Sequence, residues 1–128
     1  MNNKTVVSTP HAPSAIGPYS QAIRAGSLLF VSGQIAIDPS TGKLIDATSI
    51  RAQTRRVLQN LLAIVAAAGG SVENIVRTTV FLKDMAEFAD MNSAYAEFFP
   101  SSPPARSTIQ AAALPRDVSI EIDCIAVI

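Results

Sequence analysis

The chain has 128 residues, 48% of them apolar and 16% charged, with ten basic and ten acidic side chains and so no formal net charge. That size fits one domain over 1–128, and the balanced charge without a basic stripe argues against nucleic acid as the partner. One cysteine excludes an intrachain disulfide, no His/Cys/carboxylate cluster has metal-ligand spacing, no apolar run reaches membrane-span length and residues 1–15 lack a secretory pattern, so a cytoplasmic protein is expected.

Lys4 to Ser8 opens the chain as a short strand candidate. Residues 9–20 carry three prolines and a glycine and read as an ordered loop, since Ile16 and Tyr19 are costly to leave in water. Gln21–Arg24 and Leu28–Ser32 flank Gly26 as a hairpin. Gly33 interrupts the second strand, which marks a bulge or a close backbone approach to a ligand. The chain continues to Ile37 and turns over Asp38 to Gly42.

Residues 49–68 give the clearest helix, with Ile50, Val57, Leu58, Leu61, Leu62 and Val65 at helical spacing and Gly69-Gly70 as the stop. Arg51, Arg55, Arg56 and Gln59 fall mainly on its other side. Ile75 to Leu82, rich in β-branched residues, reads as a strand. Asp84 to Glu87 has the spacing of a helix start, and Phe88, Met91, Tyr95, Phe98 and Phe99 then form an apolar stripe that reads as core. Ser101 to Pro104 ends that helix, Arg106 to Ala112 is a strand, and Pro115–Asp117 turns into a last strand over Val118 to Ile128.

Two helices in such an order imply an α+β fold, with both helices on one face of a mixed sheet. In the last strand Val118, Ile120, Ile122, Cys124 and Ala126 face one way; Ser119, Glu121, Asp123, Ile125 and Val127 face the other. The second set turns apolar towards its end and needs a cover, which a symmetric oligomer built sheet to sheet would supply.

Arg106 stands out chemically. Pro103 and Pro104 stiffen the chain ahead of it and a strand follows. A guanidinium stays charged and its planar fork matches a carboxylate with two parallel hydrogen bonds. Taken alone, Arg106 reads first as a surface or subunit-interface ion pair, and Glu121 as a solvated strand position beside Asp123. Only the surrounding motifs reverse this.

Those motifs are Ile16-Gly17-Pro18-Tyr19-Ser20-Gln21-Ala22, Val31-Ser32-Gly33-Gln34, Thr78 to Asp84, Pro104-Ala105-Arg106-Ser107 and Leu114 to Glu121. In this order, nearly end to end, they resemble the RidA/YjgF family, also called the L-PSP endoribonuclease family. The resemblance implies a chorismate-mutase-like fold and a homotrimer with a barrel-like centre and clefts between subunits. It also implies hydrolytic deamination of 2-enamine and 2-imine acids to 2-keto acids and ammonia, with no metal or organic cofactor. It places the substrate-carboxylate arginine on Arg106 and the water-positioning glutamate on Glu121. The pocket residues fall on Tyr19, Ser32, Gly33 and Asn92. Thr108 stands where some deaminases carry a cysteine, so thiol chemistry does not transfer, though Thr108 can still line the pocket. The segment from Phe99 to Pro104 looks shorter than in the family's archetypes. Two other functions compete: a ribonuclease or translation inhibitor, and a non-catalytic trimer that binds keto acids or acts as a chaperone.

Overall fold

Residues 3–46 and 48–128 are described in the structure, a computed structural model; Met1, Asn2 and Ala47 of the expected 1–128 span lie outside them. Chain chemistry sets the first elements. Strand β1 (Lys4–Val7) pairs antiparallel with β2 (Ala22–Ala25), which turns at Gly26, left-handed at φ 62°, into β3 (Leu28–Gln34). A left-handed backbone costs glycine nothing because it has no Cβ. A short hairpin follows, β4 (Ile37–Asp38) and β5 (Lys43–Leu44), around the turn expected at Asp38–Gly42. The two strands themselves are too short to leave a periodic signal.

Helix α1 (Ile50–Ala67) starts where Ser49 accepts a hydrogen bond from the Ala52 N–H at 3.1 Å. That bond satisfies one of the four donors a helix start leaves open. Strand β6 (Ile75–Leu82) leads to a 3-10 turn at Met85–Glu87, capped by Asp84, and α-helix α2 begins only at Phe88 (Phe88–Ala96). Strand β7 (Ala105–Gln110) is two residues shorter at its end than expected. The last strand, β8, spans Ile120–Val127 instead of beginning at Val118. The reason is local: Arg116 and Asp117 are left-handed at φ 54° and 57°, and Ser119 is bonded to Lys83 and Gln53 before the ladder starts.

The six-stranded sheet has the order β1-β2-β3-β8-β6-β7. Only β6 and β7 run parallel, with α2 in the crossover a parallel pair requires. Ile120, Ile122, Cys124 and Ala126 of β8 are buried under the helices, as the alternation predicts. The core joins them to Leu29, Val80 and Leu82 of the sheet and to Val57, Leu61 and Ile64 of α1. The opposite face is bare. Leu28, Phe30, Ile109 and Val127 are exposed there.

Buried polar groups tie the layers in a way periodicity does not announce. Asn60, fully buried on α1, donates from Nδ2 to the carbonyls of Ile35 (3.2 Å) and Ile37 (3.0 Å). Gln53, also buried on α1, accepts from the Ser119 N–H at 3.1 Å. Each amide satisfies backbone that leaves the ladder at its end.

Candidate active site

Strand register divides the expected site residues between the two faces of the sheet. Arg106 lies beside Thr78 of β6, which lies beside Cys124 of β8, so all three share the helix-covered face. Thr108 stands two residues on and shares that face. Glu121 lies beside Phe81, three residues from Thr78, and belongs to the bare face. Within one protomer, therefore, Arg106 and Glu121 lie on opposite faces of the sheet.

On the helix side, the Arg106 guanidinium carbon lies 4.8 Å from the centre of the Tyr95 ring and 5.6 Å from that of Phe88. Among the described residues Arg106 has no ion pair and no hydrogen-bond acceptor. Its fork is open. The groove beside it is lined by Asn92, Tyr95, Ala96, Phe99, Pro103 and Pro104. Asn92 Oδ1 and Thr108 Oγ1 are buried and lack a partner among the described residues. Such orphans are rare in native proteins because an unpaired buried polar atom carries its full desolvation cost. A third, Gln53 Nε2, lies in the core, while these two lie on α2 and β7, the elements on either side of the Arg106 groove.

On the bare side, Tyr19, Ser32, Gly33 and Glu121 line one hollow with Ile16, Ile35 and Pro115. The register of β3 against β8 slips between Val31 and Gln34, so Ser32-Gly33 forms the bulge that the glycine suggested. A Cβ on Gly33 would collide with the Glu121 carboxylate. The missing side chain is what lets Glu121 lie against the β3 backbone. Ser32 donates its hydroxyl to the Ser20 carbonyl at 2.6 Å, which fixes the loop carrying Tyr19; its lone pairs remain. Tyr19 itself is 52% exposed. Partial burial, and secondarily the charge of Asp123, raise the Glu121 carboxyl above its ordinary value. A carboxylate raised this way is a stronger base.

Cys124 is buried, and burial pushes its thiol up to about 12. A neutral buried thiol packs as a small apolar group.

The rings under Arg106 were not legible as site residues. Phe88, Met91 and Tyr95 form one stripe and read as core. A signal did exist: a tyrosine in an apolar stripe needs a partner for its hydroxyl.

Comparison with known proteins is consistent across sequence and fold. A family described as endoribonuclease L-PSP matches residues 9–128. A RutC family protein of Pyrococcus horikoshii is 53% identical over 96% of this chain and 97% of its own. The 2-iminobutanoate/2-iminopropanoate deaminase of Salmonella typhimurium is 49% identical over 94% of this chain and 95% of its own. The crystal structure of E. coli TdcF with bound serine superposes with a TM-score of 0.92 at 44% identity, covering 97% of this chain and 98% of that one.

Proposed function

The chain belongs to the endoribonuclease L-PSP family, that is the RidA/YjgF family, and from that premise we propose that it hydrolyses 2-imino acids to 2-keto acids and ammonia. The observation that carries this reading is the Arg106 guanidinium, held on two aromatic rings with no acid at its fork among the described residues. A cation placed so is a receptor for a small carboxylate; a charge-assisted pair of that kind contributes about 1.5–3 kcal/mol. The similarity to TdcF, whose crystal holds serine, supports a ligand of that size.

The chemistry then follows from what each group can do. Arg106 fixes the carboxylate of the imine. Glu121, ionised, accepts a proton from a water as that water adds to the C=N carbon. Addition to the protonated imine gives a neutral carbinolamine; its nitrogen takes the proton back from Glu121 and leaves as ammonia, while the hydroxyl gives its own proton to the freed Glu121 carboxylate and becomes the ketone oxygen. General-base help of this kind is worth on the order of 10²–10⁴ in rate. Tyr19, Ser32, Asn92 and Thr108 orient the substrate. Gly33 leaves room at the bulge for Glu121 and for the imine nitrogen.

Since Arg106 and Glu121 project from opposite faces of one sheet, a working site takes Arg106 from one protomer and Glu121 from the next. A homotrimer closes such a head-to-tail contact into a ring and covers the bare apolar face.

The test generates 2-iminobutyrate with a threonine dehydratase and follows 2-ketobutyrate release. Wild-type protein accelerates release, Arg106→Ala abolishes the acceleration, and Arg106→Lys restores little because an ammonium lacks the fork. Glu121→Gln lowers turnover by about 10²-fold or more while weakening 2-ketobutyrate binding much less. Wild-type rates for Arg106→Ala sink the assignment.

A further inference from the structure

We propose that Tyr95, with Phe88 beside it, is the positioning residue that holds the Arg106 guanidinium in line for a carboxylate while leaving every N–H of its fork free. The inference rests on the reading of Arg106 as the carboxylate receptor and adds residues that reading does not assign.

Three contacts close on one another. Arg106 and Thr78 are direct neighbours across the β6–β7 register. The Thr78 hydroxyl is hydrogen-bonded to the Tyr95 hydroxyl at 2.7 Å, in a fully buried position. The Tyr95 ring then lies 4.8 Å from the guanidinium carbon, which brings the loop back to Arg106. Tyr95 is itself braced, its ring 4.7 Å from that of Phe99. Phe88, two helical turns before Tyr95 and so on the same face of α2, contributes the second ring at 5.6 Å.

The alternative device for fixing an arginine is a carboxylate. A carboxylate at the fork would accept the same two N–H groups that a substrate carboxylate needs, so binding would have to break an ion pair first. A ring attracts the cation through its face, and the in-plane donors stay unoccupied. Among the described residues no acid lies within ion-pair distance of Arg106, which is the arrangement this argument requires. The Thr78–Tyr95 bond is equally specific. It ties the Tyr95 ring to β6, the strand paired with the one that carries Arg106.

A positioned cation grips the substrate carboxylate alike in ground and transition state, so loosening it raises KM more than it lowers kcat. Phe88→Leu, Tyr95→Leu and Tyr95→Phe are compared with wild type and Arg106→Ala for 2-ketobutyrate binding by calorimetry and for 2-iminobutyrate KM and kcat. Size and thermal midpoint are measured beside them. Phe88→Leu and Tyr95→Leu are expected to weaken 2-ketobutyrate binding and raise KM about five- to tenfold, with kcat changed less than about threefold. Tyr95→Phe keeps the ring and stays within about threefold of wild type. Phe88 is 37% exposed, so Phe88→Leu decides the matter if Tyr95→Leu fails to fold. Unchanged 2-ketobutyrate affinity in folded Phe88→Leu, or a loss confined to kcat, overturns the proposal while Arg106→Ala still fails to bind. If Arg106→Ala binds 2-ketobutyrate like wild type, the carboxylate reading falls and takes this inference with it.

Discussion

Gly33 and Glu121 show how one missing carbon sets the chemistry of a pair. The bulge brings the β3 backbone to the Glu121 carboxylate so closely that a methyl group at Gly33 would occupy the same space. Gly33→Ala is therefore expected to push Glu121 aside and cut turnover about tenfold or more, with a much smaller shift in thermal midpoint, because a flexible carboxylate can give way where a core cannot. Steady-state rates beside a melting curve check this. The same carboxyl titrates above its ordinary value through burial and then through Asp123. Two consequences carry opposite signs. Deaminase activity needs the ionised form, so it should fall as pH drops through a value above the ordinary 4.5, and Glu121→Gln should abolish that limb. Stability runs the other way. The folded state binds this proton more tightly than the unfolded chain, so the contribution is fully present below 4.5 and is lost as pH rises through the folded value. Glu121→Gln should thus be relatively more stable than wild type at neutral pH, with the gap narrowing in acid, as urea titrations across pH would show. At this scale Gly33 stood out as a glycine inside a strand and Arg106 by its setting between stiff chain and strand, but the site roles of Arg106 and Glu121 came only through the resemblance. The sequence left Tyr95 among the core residues, because periodicity reports a buried face and is silent on what else that face touches.

Between elements, the helices do more than cover the sheet. Asn60 reaches from α1 to the carbonyls of Ile35 and Ile37, where β3 gives way to the small β4–β5 hairpin, and Ile35 is a wall of the Glu121 hollow. Its Oδ1 meanwhile accepts from Arg56 Nε at 3.1 Å. Asn60→Ala removes these bonds inside the core and is expected to cost about 1–3 kcal/mol of stability, read from denaturant midpoints. Between α1 and α2 the exposed pairs Arg51–Asp90 (2.9 Å) and Arg55–Glu97 (2.8 Å) bridge the helix surfaces and add little to stability. The positions of α1, the β2–β3 hairpin, β6 and the bulge were all legible, because each has a capping residue, a glycine or a run of β-branched residues at its boundary. The true start of α2 and the short hairpin were not. Asp84 caps a single 3-10 turn, and two-residue strands are defined by their partners.

For the whole molecule the consequence of the split site is a requirement for company. If each working site draws Arg106 and Glu121 from different protomers, two inactive chains can repair each other. Arg106→Ala and Glu121→Gln chains, unfolded together and refolded as a mixture, should recover about a quarter of wild-type activity, since random assembly pairs an intact arginine with an intact glutamate that often. Each alone stays inactive. No recovery, from a mixture shown by size to form mixed trimers, would mean the two residues meet within one chain. The amino-acid sequence by itself determined the longer strands and helix α1, the buried face of β8, the bare apolar face opposite and the family, because alternation, caps and local motifs are properties of neighbouring residues. Only the tertiary structure decided which face each site residue takes and what holds Arg106, because strand register and ring-to-cation distance join residues far apart in the chain. A single step of register would have sent Arg106 to the other side of the sheet.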